Sequence, residues 1–255
     1  MQFSLAGKVA VVTGASRGMG RAIATRFAEH GADVVVTGRD VASLEETAAA
    51  VRAHGRKALV APADLLKPLE AAKPVEAAIE AFGRLDILVC NAGGAGMYVE
   101  HGTDKLLDTP LKAVEELFAL NTFSPYVSCQ AAAQIMKDQG KGGVIIIVTS
   151  VSAYTPGPEV HAYAASKAAV HTLAVAWSKD LATYNIRVNE IVPGAFETYN
   201  LSKRIATPEG RKIMEGNPLG RLGQPDDIAA AAVYLASDEA AFVNGAEIRV
   251  SGGNR

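Results

Sequence analysis

The sequence predicts an α/β chain: one domain built on a doubly wound, parallel, seven-stranded sheet. Three observations carry this expectation. Short apolar runs alternate with helix-period segments from one end to the other. Those runs are continuously apolar and β-branched, as strands covered on both faces must be. No internal repeat, charge block or low-complexity linker interrupts the rhythm. Right-handed crossovers between parallel strands then place helices on both faces of one sheet. A chain of 255 residues is long enough to bury one large core.

Taken in order, Lys8–Thr13 reads as the first strand, and Gly18–His30 as a helix stopped by Gly31. Asp33–Thr37 is a second strand, followed by a helix over Val41–His54 that ends at Gly55. Lys57–Ala61 is the third strand, and the helix Pro74–Phe82 has proline in its first turn and Gly83 at its end. Asp86–Cys90 precedes a long helix over Leu111–Lys137; Val144–Thr149 precedes another over His161–Thr183. Ile186–Val192, a helix over Pro225–Ser237 started by Asp226 or Asp227, and the strand Glu247–Val250 complete the chain. Two stretches break the pattern. Gly93–Pro110 is Gly-rich and polar, and Pro193–Gly223 is rich in Pro, Gly and charge and reads as an insertion over a substrate. Long connections at strand ends are where such a domain builds its site.

Composition removes several classes of function. The 25 Lys+Arg against 27 Asp+Glu give no basic face to displace counterions from nucleic acid. The longest apolar runs, Val144–Val148 and Ile228–Ala236, fall short of the ~18 residues of a spanning helix. The opening residues lack the basic and apolar regions of a signal peptide, so a cytoplasmic protein is expected. Cys90 and Cys129 sit in no CxxC or Cys/His cluster, so no metal site is expected and both read as buried apolar residues. Glycine, 24 of 255, exceeds the ~7% average.

The glycines concentrate first at Thr13-Gly14-Ala15-Ser16-Arg17-Gly18-Met19-Gly20, between the first strand and its helix. A helix N-terminus offers free N–H groups and a favourable dipole to a phosphate, and glycine lets backbone and ligand approach. The spacing is GxxxGxG, distinct from the GxGxxG and GxxxxGK[ST] signatures, and alone it is also readable as a tight β-to-α connection. Farther on, Tyr163 and Lys167 are four apart in a helical segment and share a face. A nearby ammonium favours ionisation of a phenol, so Lys167 is expected to tune Tyr163.

Together these blocks resemble the short-chain dehydrogenase/reductase family, over Leu5 to Gly253. TGxxxGxG is that family's cofactor turn. Asn91-Ala92-Gly93 after the fourth strand, Asn121 in the next long helix, Ser150 thirteen residues before Tyr163-Ala164-Ala165-Ser166-Lys167, and Pro193-Gly194 with Thr198 follow at family spacing. The resemblance implies a Rossmann fold and an oxidoreductase that interconverts a ketone and a secondary alcohol. It implies Tyr163 as general acid/base, Ser150 on the carbonyl oxygen, Lys167 on the nicotinamide ribose and Asn121 anchoring a relay water. It assigns cofactor contacts to Gly14, Ser16, Arg17, Gly18, Met19, Gly20, Asp64, Leu65, Asn91, Ala92, Gly93, Pro193, Gly194 and Thr198, besides Tyr163 and Lys167.

The family's acid after the second strand, which would bind the adenosine ribose diol, is replaced here by Gly38, followed by Arg39. Asp40 falls one position late and suits the start of the next helix. Arg39 with Arg17 favours a 2′-phosphate, hence NADP(H) over NAD(H), although each arginine taken singly is equally readable as a solvated surface residue. Candidate substrate contacts are Gly94, Met97, Tyr98, Ser152, Tyr154 and Tyr199, for an apolar ketone or alcohol; a hydroxysteroid or a 3-oxoacyl thioester is the alternative within the family. A silent NADP(H)-binding sensor or scaffold is the competing reading, and an extended sugar-nucleotide epimerase or dehydratase is another. The family pairs the two long helices, here 111–137 and 161–183, with their copies, so a homotetramer is expected.

Overall fold

The computed structural model describes residues 2–95, 105–158, 160–197, 206–208, 210, 212 and 216–254. The strands are β1 Val9–Thr13, β2 Asp33–Thr37, β3 Ala58–Val60, β4 Ile87–Cys90, β5 Gly143–Val148, β6 Ile186–Pro193 and β7 Glu247–Val250. They form one sheet in the order β3-β2-β1-β4-β5-β6-β7, and every pairing is parallel. The main helices are α1 Gly18–Glu29, α2 Val41–Ala53, α3 Lys73–Phe82, α4 Leu111–Phe118, α5 Ser124–Gln139, α6 His161–Asp180 and α7 Pro225–Ala236.

Two-sided burial explains the apolar strands. In β1, Ala10 and Val12 pack with Ile23, Phe27 and Ile228 on the face of α1 and α7, while Val9 and Val11 pack with Val75, Ala132 and Val170 on the face of α3, α5 and α6. Alternation of side chains along a strand sends neighbours to opposite cores, so neither set can be polar. The helix stops behave as expected. Gly83 caps α3 in the left-handed region, and Gly31 and Gly55, just past α1 and α2, also have positive φ. At α7 it is Asp227 that reaches back to the Gln224 N–H at 2.9 Å.

The single long helix expected over 111–137 is instead three pieces. A π-helical turn, Ala119–Phe123, separates α4 from α5. Pro125 lies in the first turn of α5, has no N–H to give Asn121, and its ring crowds that carbonyl; a widened turn relieves both problems. The helix expected over 161–183 stops at Asp180, and a short 3-10 turn then leads to Asn185 at φ 58. The expected insertion 193–223 lies partly outside the described residues. Its ends meet: Phe196 and Gly223 form a parallel bridge, with Glu197 N–H donating to Gly223 O at 2.9 Å.

The chain leaves β1 for β2 on one side and returns to β4 on the other. The carboxyl ends of β1 and β4 therefore border the switch point where doubly wound sheets hold ligands. The turn after β1, Asn91–Gly94 after β4, Ser150 after β5 and Gly194 after β6 all lie along that edge.

Candidate active site

The turn after β1 is assembled by Thr13, whose side chain is buried. Its Oγ1 donates to Val89 O at 3.2 Å and accepts from the N–H groups of Asn91 and Ala92 at 3.0 and 2.9 Å, tying the ends of β1 and β4 together. Asn91 Nδ2 donates back to Thr13 O at 2.9 Å. Gly14 has φ 65, and a Cβ there would lie 2.8 Å from Ala92 Cα. A Cβ on Gly20 would collide with Gly14 O, so α1 packs directly on the turn. Arg17, in extended backbone, precedes α1 without capping it by its side chain, so the first N–H groups of this twelve-residue helix face the strand ends without that cap. That is the geometry an anionic pyrophosphate fits.

Sequence reasoning missed the underside of this turn. Arg21 donates to Ser16 O at 2.6 Å and to Thr47 Oγ1 at 3.0 Å, and the buried Thr47 hydroxyl lies 2.8 Å from Ala15 O. Both residues sit on helices whose periodicity explains them as ordinary helix positions, so only their tertiary placement shows the role.

Beside the turn, Gly38 faces Ser16: a Cβ on Gly38 would lie 3.8 Å from the Ser16 side chain. Arg17 and Arg39 are exposed. Asp40 starts α2 as expected, accepting from Ser43 N–H at 3.2 Å and Ser43 Oγ at 2.8 Å. Those bonds hold its carboxyl below the ordinary range, and Arg17 adds to the effect. Asp64 is half-buried and accepts from Leu66 N–H at 3.2 Å, Leu65 is buried, and Ala63 N–H binds Gly38 O at 3.0 Å. Met19 packs partly buried against the core. Gly194 N–H donates to Val250 O, and a Cβ there would lie 2.9 Å from Ser251 Cα; Pro193, buried, ends β6.

Across the switch point, Ser150, Tyr163, Lys167 and Asn121 converge. Asn121 projects from the π turn and is fully buried: Gly94 N–H donates to its Oδ1 at 3.0 Å, and its Nδ2 reaches Gly94 O at 3.2 Å and Ser166 Oγ at 3.0 Å. Ser166 in turn donates to Tyr163 O at 2.7 Å. Ser150 Oγ accepts from Ser152 N–H at 3.2 Å, and the Ser150 side chain lies beside Tyr163. Lys167 is 4% exposed and donates to Val148 O at 2.8 Å. A Cβ on Gly93 would lie 2.7 Å from Asn121 Oδ1 and 2.9 Å from Lys167 Nζ, so Gly93 closes this cluster from the β4 side.

Burial raises the Tyr163 phenol above its ordinary value, and the neighbouring Ser150 side chain opposes the rise. The expected lowering by Lys167 is not among the influences on it. Lys167 is itself driven toward neutrality, its pKa brought down to about 8 by burial, against the pull of Cys90 and Glu190.

Of the candidate substrate contacts, Gly94 (φ 146) and Ser152 border this cluster through the bonds just given. Tyr154 is engaged elsewhere: its hydroxyl lies 3.1 Å from His171 Nδ1 and its ring stacks under Arg249 at 4.3 Å. Met97, Tyr98, Thr198 and Tyr199 lie outside the described residues.

The layout has close relatives. A family model described as enoyl-(acyl carrier protein) reductase matches residues 14–255. L-rhamnose 1-dehydrogenase (NAD(P)(+)) of Sphingomonas sp. (strain SKA58) is 40% identical, covering 98% of this chain and 96% of its own. A solved 7α-hydroxysteroid dehydrogenase, complexed with NADH and 7-oxo glycochenodeoxycholic acid, superposes with a TM-score of 0.91 at 38% identity over 99% of this chain and 96% of that one. A gluconate 5-dehydrogenase from Burkholderia cenocepacia J2315, with NADP and tartrate, superposes at 0.89 with 31% identity over 98% and 96%. The sheet and its edge site define a Rossmann-type α/β domain. The chain belongs to the short-chain dehydrogenase/reductase family of oxidoreductases. Among the described residues, no helix is long and apolar enough to cross a membrane.

Proposed function

We propose that this chain is an NADP(H)-dependent oxidoreductase interconverting a ketone and a secondary alcohol, with Tyr163 as general acid/base. The observation that carries the reading is the gathering of Ser150, Tyr163, buried Lys167 and buried Asn121 at the carboxyl edge of the sheet. In the reductive direction Tyr163 gives its proton to the carbonyl oxygen, and Ser150 orients that oxygen by donating a hydrogen bond. Asn121, locked by Gly94 and Ser166, is the residue that would anchor a water of the proton relay. A nicotinamide dinucleotide, when bound, supplies or accepts the hydride. Its pyrophosphate fits the Gly14–Gly20 turn with Ser16, Gly18 and Met19; its adenosine half fits Asp64 and Leu65; its nicotinamide half fits Asn91, Ala92, Gly93, Pro193, Gly194 and Lys167, with Thr198 assigned by resemblance.

Preference for NADP(H) over NAD(H) is supported by Arg17 and Arg39 beside Ser16, with Gly38 where an acid would exclude a 2′-phosphate. Relatives named for a sugar and for a steroid frame the substrate choice; the proposal keeps an apolar ketone or alcohol first. For assembly, Phe123, Tyr126 and Tyr184 are exposed, and the last two line a groove between α5 and α6 with Trp177 and Leu181. Such an apolar face supports pairing with a second copy, in a homotetramer.

The test is steady-state NADPH oxidation across steroid, sugar and acyl-thioester carbonyls, with the Tyr163→Phe variant in parallel. The wild type is expected to turn over at least one ketone with a kcat/KM for NADPH above that for NADH, and the Phe variant to lose turnover while still binding NADPH. A Phe variant with near-wild-type turnover, or no turnover of any carbonyl, would overturn the reading. A monomeric mass by light scattering would remove the tetramer.

A further inference from the structure

The chain's two cysteines meet at the edge of the candidate site. Cys90 ends β4 and leads directly into Asn91-Ala92-Gly93, and Cys129 lies on α5, the helix that runs on from the π turn carrying Asn121. Their sulfurs are 3.8 Å apart, although 39 residues separate them along the chain. Each is 3% exposed, and both belong to the core beneath α3, α5 and α6. Both are free thiols, and no step of the proposed reaction uses either.

A disulfide requires an S–S distance of about 2.05 Å, so these sulfurs must close by roughly 1.8 Å. Rotation of two close-packed side chains supplies part of that, and the rest has to come from the end of β4 and α5 approaching each other. Both backbones are fastened to the site. Asn91 and Ala92, next after Cys90, give their N–H groups to Thr13 Oγ1. Gly94 exchanges two hydrogen bonds with Asn121, and Gly93 has no room for a methyl against Asn121 Oδ1 and Lys167 Nζ. A displacement that begins at the sulfurs therefore reaches the turn after β1, Asn121 and Lys167.

We infer that Cys90 and Cys129 form an oxidation site: hydrogen peroxide converts the pair to a disulfide that misaligns the candidate active site, and a thiol reductant reverses it. The peroxide O–O bond breaks as one thiol becomes a sulfenic acid, and the first water leaves with that thiol's proton. The second sulfur then displaces hydroxide from the sulfenic sulfur, forming the S–S bond and releasing a second water with its own proton. The two thiols are oxidised by two electrons and the peroxide is reduced. Cys129 also lines the groove between α5 and α6, which gives a molecule of that size a way to the pair. A second copy seated on that groove slows entry without changing the product. Burial holds the Cys129 thiol well above its ordinary range, and the neighbouring Cys90 adds to the rise, so the reaction is slow at neutral pH. Only the loss of turnover rests on the proposed function, because the bond itself is read without a substrate.

The experiment incubates the full chain with excess hydrogen peroxide to an end point, removes the peroxide with catalase, and alkylates under denaturing conditions without reductant. The wild type is expected to lose both alkylatable thiols, to run as a single chain on a non-reducing gel, and to yield a linked peptide joining Cys90 to Cys129. Its kcat for carbonyl reduction is expected to fall on the order of 100-fold, as for an ångström-scale misplacement of positioned groups, and to return with dithiothreitol. Cys129→Ala, or Cys90→Ala if that variant does not fold, is expected to keep its turnover through the same treatment. Two alkylatable thiols after peroxide, sulfinic acid with no linked peptide, or a linked chain with undiminished kcat would overturn the inference. A linked peptide in a chain that reduces no carbonyl, before or after dithiothreitol, would leave the oxidation site standing and remove the proposed function.

Discussion

Gly93→Ala isolates the packing of the candidate site from the conformational demands of glycine. Gly93 is absent from the glycines with positive φ, so alanine can adopt its backbone. Space is what forbids it. The added methyl would lie 2.7 Å from Asn121 Oδ1, 2.9 Å from Lys167 Nζ and 3.6 Å from Lys167 Cε, where a comfortable contact needs about 3.5 Å. Asn121 is tied to Gly94 and Ser166 and Lys167 to Val148, so a retreat of roughly half an ångström or more must break one of those bonds. Overpacking of this kind costs about 1–3 kcal/mol, or roughly 2–4 °C in Tm per kcal/mol for a chain of this size. The kinetic effect is larger, because misplacing positioned groups by an ångström costs on the order of 100-fold in rate. Gly55→Ala is the control. Its φ is 72 with nothing within 4 Å of the added carbon, so it pays about 1–2 kcal/mol of backbone strain far from the site. The assay pairs thermal unfolding with kcat for carbonyl reduction. Similar Tm losses with a kcat loss confined to Gly93→Ala are expected; a Gly93→Ala enzyme with wild-type kcat would refute the reasoning.

Thr47→Val removes the hydroxyl beneath the turn and leaves the Ala15 carbonyl short of a donor, at a cost of about 1–3 kcal/mol. The KM for cofactor is expected to rise several-fold with kcat nearly unchanged; an equal fall in kcat alone would count against a role in holding the turn. Glu190 is pushed up to about 7 from 4.5, chiefly by burial, so the native state holds its proton more tightly than the unfolded chain does. Its contribution is full below about pH 4.5 and is lost as pH rises toward 7, and Glu190→Gln should therefore gain on wild type across that window by up to about 3 kcal/mol. Urea unfolding at pH 5 and pH 7.5 checks this, and a variant that falls further behind with rising pH contradicts the sign.

The seven strands were legible because both faces of the sheet are covered, which writes each strand as an unbroken apolar run. Observed strand boundaries differ from the expected ones by at most one residue, at ends where pairing stops and composition changes little. The helices were legible where a glycine or proline marks the end. The break at Ala119–Phe123 was not, since Pro125 in a first turn is compatible with a regular helix until its carbonyl partner is located. Asp40 could be placed at a helix start because its role is local. Tyr154 could not be assigned from its distance to Ser150, because its ring turns on contacts with α6 and β7.

By itself the sequence determined the sheet, the turn after β1 and the family motifs, since each depends on periodicity or on neighbours a few residues apart. Only the tertiary structure decided which buried charges feel one another. Arg21 reaching under Ser16, Asn121 locked between Gly94 and Ser166, and Glu190 set against His171 join segments 5 to 45 residues apart. Burial, which no local pattern measures, turns those approaches into shifted proton affinities. It raises Tyr163, lowers Lys167 and leaves Glu190 one oxygen short of a partner.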